Sequence, residues 1–150
     1  MKNTFIKSLS EISSANLNEI INEADKPFMS YEYLYALEKS KSVHVNNGWE
    51  TFHLALSEEE NLSGFLPIYK KNNSHGEFVF DHQWSYALRR ANREYYPKLL
   101  SAIPFTPCET SKFIASKSIG IENFTEPVID YMKQNNMETW HILFPNNDLS

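Results

Sequence analysis

Cysteine, glycine and long apolar runs are all scarce in this 150-residue chain, which has one Cys and four Gly. A lone Cys108 excludes an intrachain disulfide and suits a reducing compartment. The glycines at 48, 64, 76 and 120 stand isolated. None belongs to a Gly-rich loop opening a helix, the usual cradle for phosphates. No apolar run approaches the ~20 residues that a membrane helix needs. Residues 1–10 lack the basic start and apolar stretch of a signal peptide. Positive charge is also short: the formal net charge of −5 argues against nucleic acid as a partner. No internal repeat or heptad is present. These absences imply a cytoplasmic protein without membrane insertion.

What is present is ordinary globular material. Hydrophobic residues at 41% and charged residues at 22% exclude disorder, and ten Phe with eight Tyr supply large side chains for a core. Residues 4–8 read as a first strand. Ser14 caps a helix carrying Leu17, Ile20, Ile21 and Ala24, which Pro27 ends. Ser30 caps a second helix, with Met29 placed to staple onto Leu34. Residues 51–81 read as an antiparallel meander whose third strand is 76–80. Residues 83–93 form a helix with Trp84, Ala87, Leu88 and Ala91 on one apolar face. Short strands follow near 99–103 and 112–116. Thr125 caps a last helix with Pro127 in its first turn and Phe124 stapled onto Ile129, and 138–144 is a buried strand. The sum is a mixed α/β layer fold in a single domain over 1–150.

The densest chemistry lies at His75, Glu77, Asp81 and His82. As a strand, this stretch places His75, Glu77 and Asp81 on one face, with alternate side chains ~7 Å apart. Glu77 or Asp81 then serves as general base with His75 as its partner. The competing reading places His75 and Glu77 in solvent and makes Asp81 the cap of the next helix. The same residues lack any paired metal-ligand motif, so no metal is assigned. Arg89 and Arg93 share a helix face, and with Lys98, Tyr95 and Tyr96 they can hold a phosphate or carboxylate; the alternative is a solvated face with the two tyrosines packed as core. Pro104-Phe105-Thr106-Pro107 is a rigid loop in which Thr106 can donate to a bound group. Trp84 is a candidate substrate contact as well as a core residue. Cys108 has no local base. His53 is expected on the polar side of its strand, and His141 as a satisfied structural histidine.

The stretch HGEFVFDHQWSYALRRANREYYPKLLSAIPFTP, residues 75–107, resembles the bacterial FemAB-like family of N-acyltransferases. Further segments match in the same order: KPFM with YLYALE, GW with HL, LPIY with a following Lys71, and HILFP. Together they cover most of residues 26–145. The chain departs from the pattern at Lys41 and at residues 108–111, where the family commonly has glycines. The resemblance implies a GNAT-like, largely antiparallel mixed sheet flanked by helices. It implies transfer of an acyl or aminoacyl group from an activated donor to the amine of a small molecule or peptide. It favours Tyr96 and Lys98, which lie inside the motif, as functional residues. Family members generally continue into a second half, so the chain is expected to be an N-terminal, acceptor-side half. On that reading no cofactor binds within this chain, and an acyl-CoA or aminoacyl donor belongs to the whole enzyme. The alternative is a non-catalytic module that pairs with a second half or forms a homodimer.

Overall fold

The computed structural model describes residues 1–146. Among them are eight strands: β1 Lys2–Ile6, β2 Trp49–Thr51, β3 His53–Glu58, β4 Asn61–Leu66, β5 Tyr69–Lys71, β6 Lys98–Ser101, β7 Ile114–Ala115 and β8 Trp140–Ile142. Four α-helices accompany them: α1 Ser14–Ile20, α2 Tyr31–Lys39, α3 His82–Arg90 and α4 Glu122–Gln134. The strands form two sheets, ordered β1-β3-β4-β7 and β2-β5-β6-β8. All neighbours are antiparallel except β6 and β8. This is the mixed, mostly antiparallel α+β architecture expected.

The first sheet is covered on both faces, which explains why β3 and β4 are buried nearly throughout. Ala55, Phe65 and Ile114 pack with Leu17 of α1 and Leu34 of α2. Leu54, Leu56 and Leu66 face the other way, against Phe124 and Val128 of α4. Close approach of α4 needs the missing side chain of Gly64, where a Cβ would stand 2.8 Å from Phe124 Cζ. Double coverage also corrects the placement of His53, which is fully buried. Its Nδ1 accepts from the Ile68 amide at 3.1 Å, so the strand has no polar side for it to face.

Caps set several boundaries. Ser30 Oγ accepts from Tyr33 N at the start of α2, and Met29 shares a core cluster with Leu34. The first helix stops at Ile20, earlier than the apolar spacing suggested, and Pro27 does not end it. A short 3-10 turn at Glu23–Asp25 takes up the remainder. The last helix starts a turn before Thr125, because Asn123 Oδ1 accepts from Gly120 N at 2.9 Å. Pro127 therefore lies in the second turn of α4, and Phe124 packs into the core instead of stapling.

Two expectations fail outright. Residues 76–80 are not a strand: Gly76 has φ +77° and Phe78 φ +58°, which break any extended run. And α3 buries no residue, although its amphipathic period is present. Trp84 is 64% exposed, so its placement in the core was wrong.

Just past α2, Lys41 has φ +61°, the left-handed conformation that ends many helices. A residue with a Cβ is strained there, and glycine is not. Lys41→Gly should raise unfolding stability by about 0.5–1 kcal/mol in urea titrations, the gain being trimmed by the freer unfolded chain. Equal or lower stability would mean that Lys41 is not strained.

Candidate functional site

The site is built on the second sheet. Lys71 on β5 and Lys98 on β6 are direct cross-strand partners, and Trp49 on β2 stands opposite Lys71. All three side chains are buried. Like charges directly opposed in a sheet repel, and buried cations need compensation. The loop between β5 and α3 supplies it. Lys98 Nζ donates to Glu77 Oε2 at 2.7 Å and to Asp81 Oδ2 at 2.6 Å. Glu77 Oε1 reaches toward Lys71 Nζ at 3.9 Å. Lys71 also lies 3.6 Å over the Trp49 ring and donates to the His75 carbonyl at 3.1 Å. The Trp49 indole N–H donates to the same carbonyl. Two lysines and two carboxylates thus form an internally neutral cluster.

Tyrosines extend it to the surface. Asp81 Oδ2 accepts from Tyr95 Oη at 2.8 Å and from Tyr96 Oη at 3.4 Å. With its proton on Asp81, Tyr95 accepts at its oxygen from His141 Nε2, 3.1 Å away, which assigns the His141 proton to Nε2. Burial raises the Asp81 pKa, but the Lys98 and Tyr95 hydrogen bonds outweigh it and bring it down to about 2. Burial pushes Glu77 up, against the pull of Lys98 and Lys71. Burial lowers Lys71 to about 8. Tyr95 rises strongly through burial and then its bond to Asp81. Tyr96 rises through burial, with Asp81 adding to the effect and Ser74 opposing it. His141 falls through burial and the Lys98 charge.

Three cavities run side by side over this cluster. One of about 540 Å³ is bordered by Ser74, His75, Phe78, Ser85 and Tyr96. It shares Asn73 and His75 with a cavity of about 700 Å³ that Asn46, Asn47 and Phe105 line. It shares Ser85 and Tyr96 with one of about 500 Å³ that Arg89, Arg93 and Tyr95 line. Gly76 makes the bend possible, since a Cβ there would stand 2.5 Å from the Phe105 ring.

The structure brings Glu77, Asp81, Lys98 and Tyr96 together, but not through strand alternation. The two carboxylates are buried against Lys98, away from the cavities. Their role as solvent-facing bases therefore has no geometric support here. His75 is exposed and contributes its carbonyl to the cluster, while its ring borders two cavities. Arg93 pairs with Glu138 through both guanidinium arms, Nε to Oε1 being 2.8 Å and Nη2 meeting Oε2. Thr106 Oγ1 is engaged with Tyr33 Oη and the Pro104 carbonyl, both at 3.0 Å. Trp84 lines none of the three cavities. Sequence reasoning missed Lys71, Trp49 and His141 as members of the cluster, and grouped Tyr95 with the arginines rather than with Asp81. A buried Glu-Lys pair in the same motif was the available signal, because a second lysine on an adjacent strand would sit beside it.

A third buried lysine stands apart. Lys112 Nζ donates to the Thr110 and Phe144 carbonyls at 3.0 Å and to Thr110 Oγ1 at 2.6 Å. No carboxylate touches it among the described residues, and burial lowers it to about 8.

A family profile named FemAB-like and described as peptidoglycan biosynthesis/recognition matches residues 8–150. Among curated proteins and among solved structures, none matches the chain.

Removing Lys98 leaves two buried carboxylates without their cation. Lys98→Met should cost roughly 3–5 kcal/mol in urea unfolding. Neutralising the partners in Lys98→Met/Glu77→Gln/Asp81→Asn should recover part of that loss. A triple variant no better than the single one would deny that charge balance holds the cluster. A pH effect follows from the other lysines. Lys71 and Lys112 titrate near 8 when folded, against about 10.4 when unfolded. Between these values the unfolded chain binds more protons, so stability rises with pH from about 8 to 10. Asp81, held at about 2, supplies stability above its unfolded pKa that is lost as pH falls toward 2. Thermal melts should show the alkaline rise, and Lys112→Met should flatten it. A wild-type Tm that only falls over that range would refute it.

Proposed function

Because the chain belongs to the FemAB-like family of peptidoglycan biosynthesis/recognition proteins, we propose that it forms the acceptor-side wall of an N-acyltransferase. The observation that carries this reading is that His75 and Tyr96 border one cavity, and Tyr96 is tied to Asp81 of the buried charge cluster. In amide formation the acceptor nitrogen attacks the acyl carbonyl carbon. The new C–N bond forms as the bond to the leaving group breaks, and the nitrogen gives up a proton. A histidine is well suited to take that proton, and His75, which borders this cavity together with His82, is the base assigned here.

Tyr96 remains a neutral phenol, since its pKa is raised. It orients the amine by hydrogen bonding. Asp81 and Lys98 act through it: Asp81 is too strongly held as a carboxylate, at about 2, to take up a proton readily. It is a positioning residue, and so is Glu77. Arg89 at the adjoining cavity is the cation available to an acceptor carboxylate, because Arg93 is taken by Glu138. The donor's phosphates need a cradle of backbone amides. The isolated glycines supply none, which supports assigning donor binding to another part of the enzyme.

Calorimetry with a peptidoglycan stem peptide carrying a free amine tests this reading, beside acetyl-CoA. The peptide should bind saturably, with affinity reduced about tenfold by Tyr96→Phe or His75→Gln, the loss of one good hydrogen bond. Acetyl-CoA should bind weakly or not at all. Absence of peptide binding, or binding indifferent to both substitutions, would remove the acceptor assignment.

A further inference from the structure

Helix α3 is seated with its polar side toward the protein. Ser85 and Arg89 border the cavity against Tyr95 and Tyr96. Trp84, Ala87 and Ala91, the apolar stripe, stand in solvent, and Leu88 is only half-buried. The preceding loop adds Phe78 at 62% exposure and Phe80 at 92%, and Tyr86 on α3 is 64% exposed. Several exposed aromatics concentrated in one short stretch of chain mark an interaction surface.

Its charge narrows the partner. From Phe78 to Arg93 the only acidic residue is Asp81, and that one is buried on Lys98. Arg89 and Arg90 are exposed beside the aromatics, in a chain whose net charge is −5. The patch is thus locally cationic on an acidic protein, and complementary to an anionic surface. Its apolar members protrude from a loop and a short helix. A fluid layer accepts protruding side chains of any shape. Phe and Trp on one side with Arg beside them is the composition of helices that lie in a lipid interface. No helix among the described residues is long and apolar enough to cross a membrane.

We infer that the 78–80 loop and α3 form a peripheral docking surface for an anionic lipid bilayer. Phe78, Phe80 and Trp84 enter the interface, and Arg89 and Arg90 meet lipid phosphates. The surface shares residues with the acyl-transfer reading, since Phe78 and Phe80 border the acceptor cavity and Arg89 the adjoining one; vesicle binding and stem-peptide binding are separate measurements, so either can fail alone.

Tryptophan fluorescence of the whole chain offers a direct test. Trp49 is fully buried and Trp140 half-buried, so Trp84 is the exposed reporter. Vesicles containing phosphatidylglycerol should shift its emission to the blue and sediment the protein, while pure phosphatidylcholine vesicles should do so far less. Arg89→Gln/Arg90→Gln should weaken binding roughly tenfold or more, each basic residue near an anionic surface contributing severalfold. Phe78→Ser/Phe80→Ser should abolish it. These positions are exposed, so the variants should keep the wild-type melting temperature. Three results would overturn the inference: no shift and no sedimentation with anionic vesicles, binding that ignores the phenylalanine changes, or self-association through this patch without vesicle binding. The last would assign the face to a second copy of the chain.

Discussion

Two lysines face each other across β5 and β6 where water cannot screen them. That juxtaposition is unfavourable alone, and the geometry around it follows from its relief. Glu77 must bridge toward both ammonium groups, and Asp81 must meet Lys98. The loop from Asn72 to Asp81 is therefore folded in against the ends of β5 and β6 rather than extended as a strand. Once Asp81 is fixed, its Oδ2 gathers Tyr95 and Tyr96, and Tyr95 in turn holds His141 of β8. The parallel pairing of β8 with β6 is thereby tied to the same charges.

Hydrophobic packing does a different task. The first sheet is sealed on both faces and carries α1, α2 and α4. Leu99, on the face of β6 away from Lys98, joins the α4 cluster, while Leu100 joins Val43, Trp49 and Tyr69. The alternation along one four-residue strand thus connects the oily core to the charged site. Displacing β6 would disturb both, which places Lys98 on one of the least movable parts of the molecule.

Much of this was legible from residues alone, though sometimes for the wrong reason. The helices around Leu34 and Phe124 announced themselves by spacing and caps. Glu77 and Asp81 stood out as paired carboxylates, but strand periodicity would have carried them to one open face. Two positive-φ residues, Gly76 and Phe78, cancel that periodicity and turn them inward. Periodicity also found the apolar stripe of α3 and said nothing of which way it turns. That choice depends on Ser85 and Arg89 bordering the cavity beside Tyr95 and Tyr96, a tertiary arrangement. His53 was misplaced because a single strand does not reveal whether its sheet is covered once or twice. Lys71 was not placed with the carboxylates because it is polar among polar neighbours, Lys70 and Asn72, and only the pairing of β5 with β6 brings it beside Lys98.

Lys98 and Lys112 show how differently one side chain can be buried. Lys112 is held by two carbonyls and a hydroxyl, which satisfy its hydrogens but bring no negative charge. Its cheapest response to burial is to lose its proton, and its pKa falls accordingly. Lys98 has a carboxylate on either side, at 2.7 and 2.6 Å, and it acts on the pKa values of Asp81 and His141. Lys71 is intermediate: it has an aromatic face and a carbonyl, and its nearest carboxylate oxygen is 3.9 Å away. The three lysines therefore form a graded series from packing element to electrostatic anchor. The anchor lies beside the tyrosine that opens to the cavities. A carboxylate pinned in this way cannot wander toward solvent or exchange partners, so Tyr96 is presented at a constant angle. The acceptor role proposed for this cavity draws on that constancy, which a solvent-exposed acid on a flexible loop would not provide.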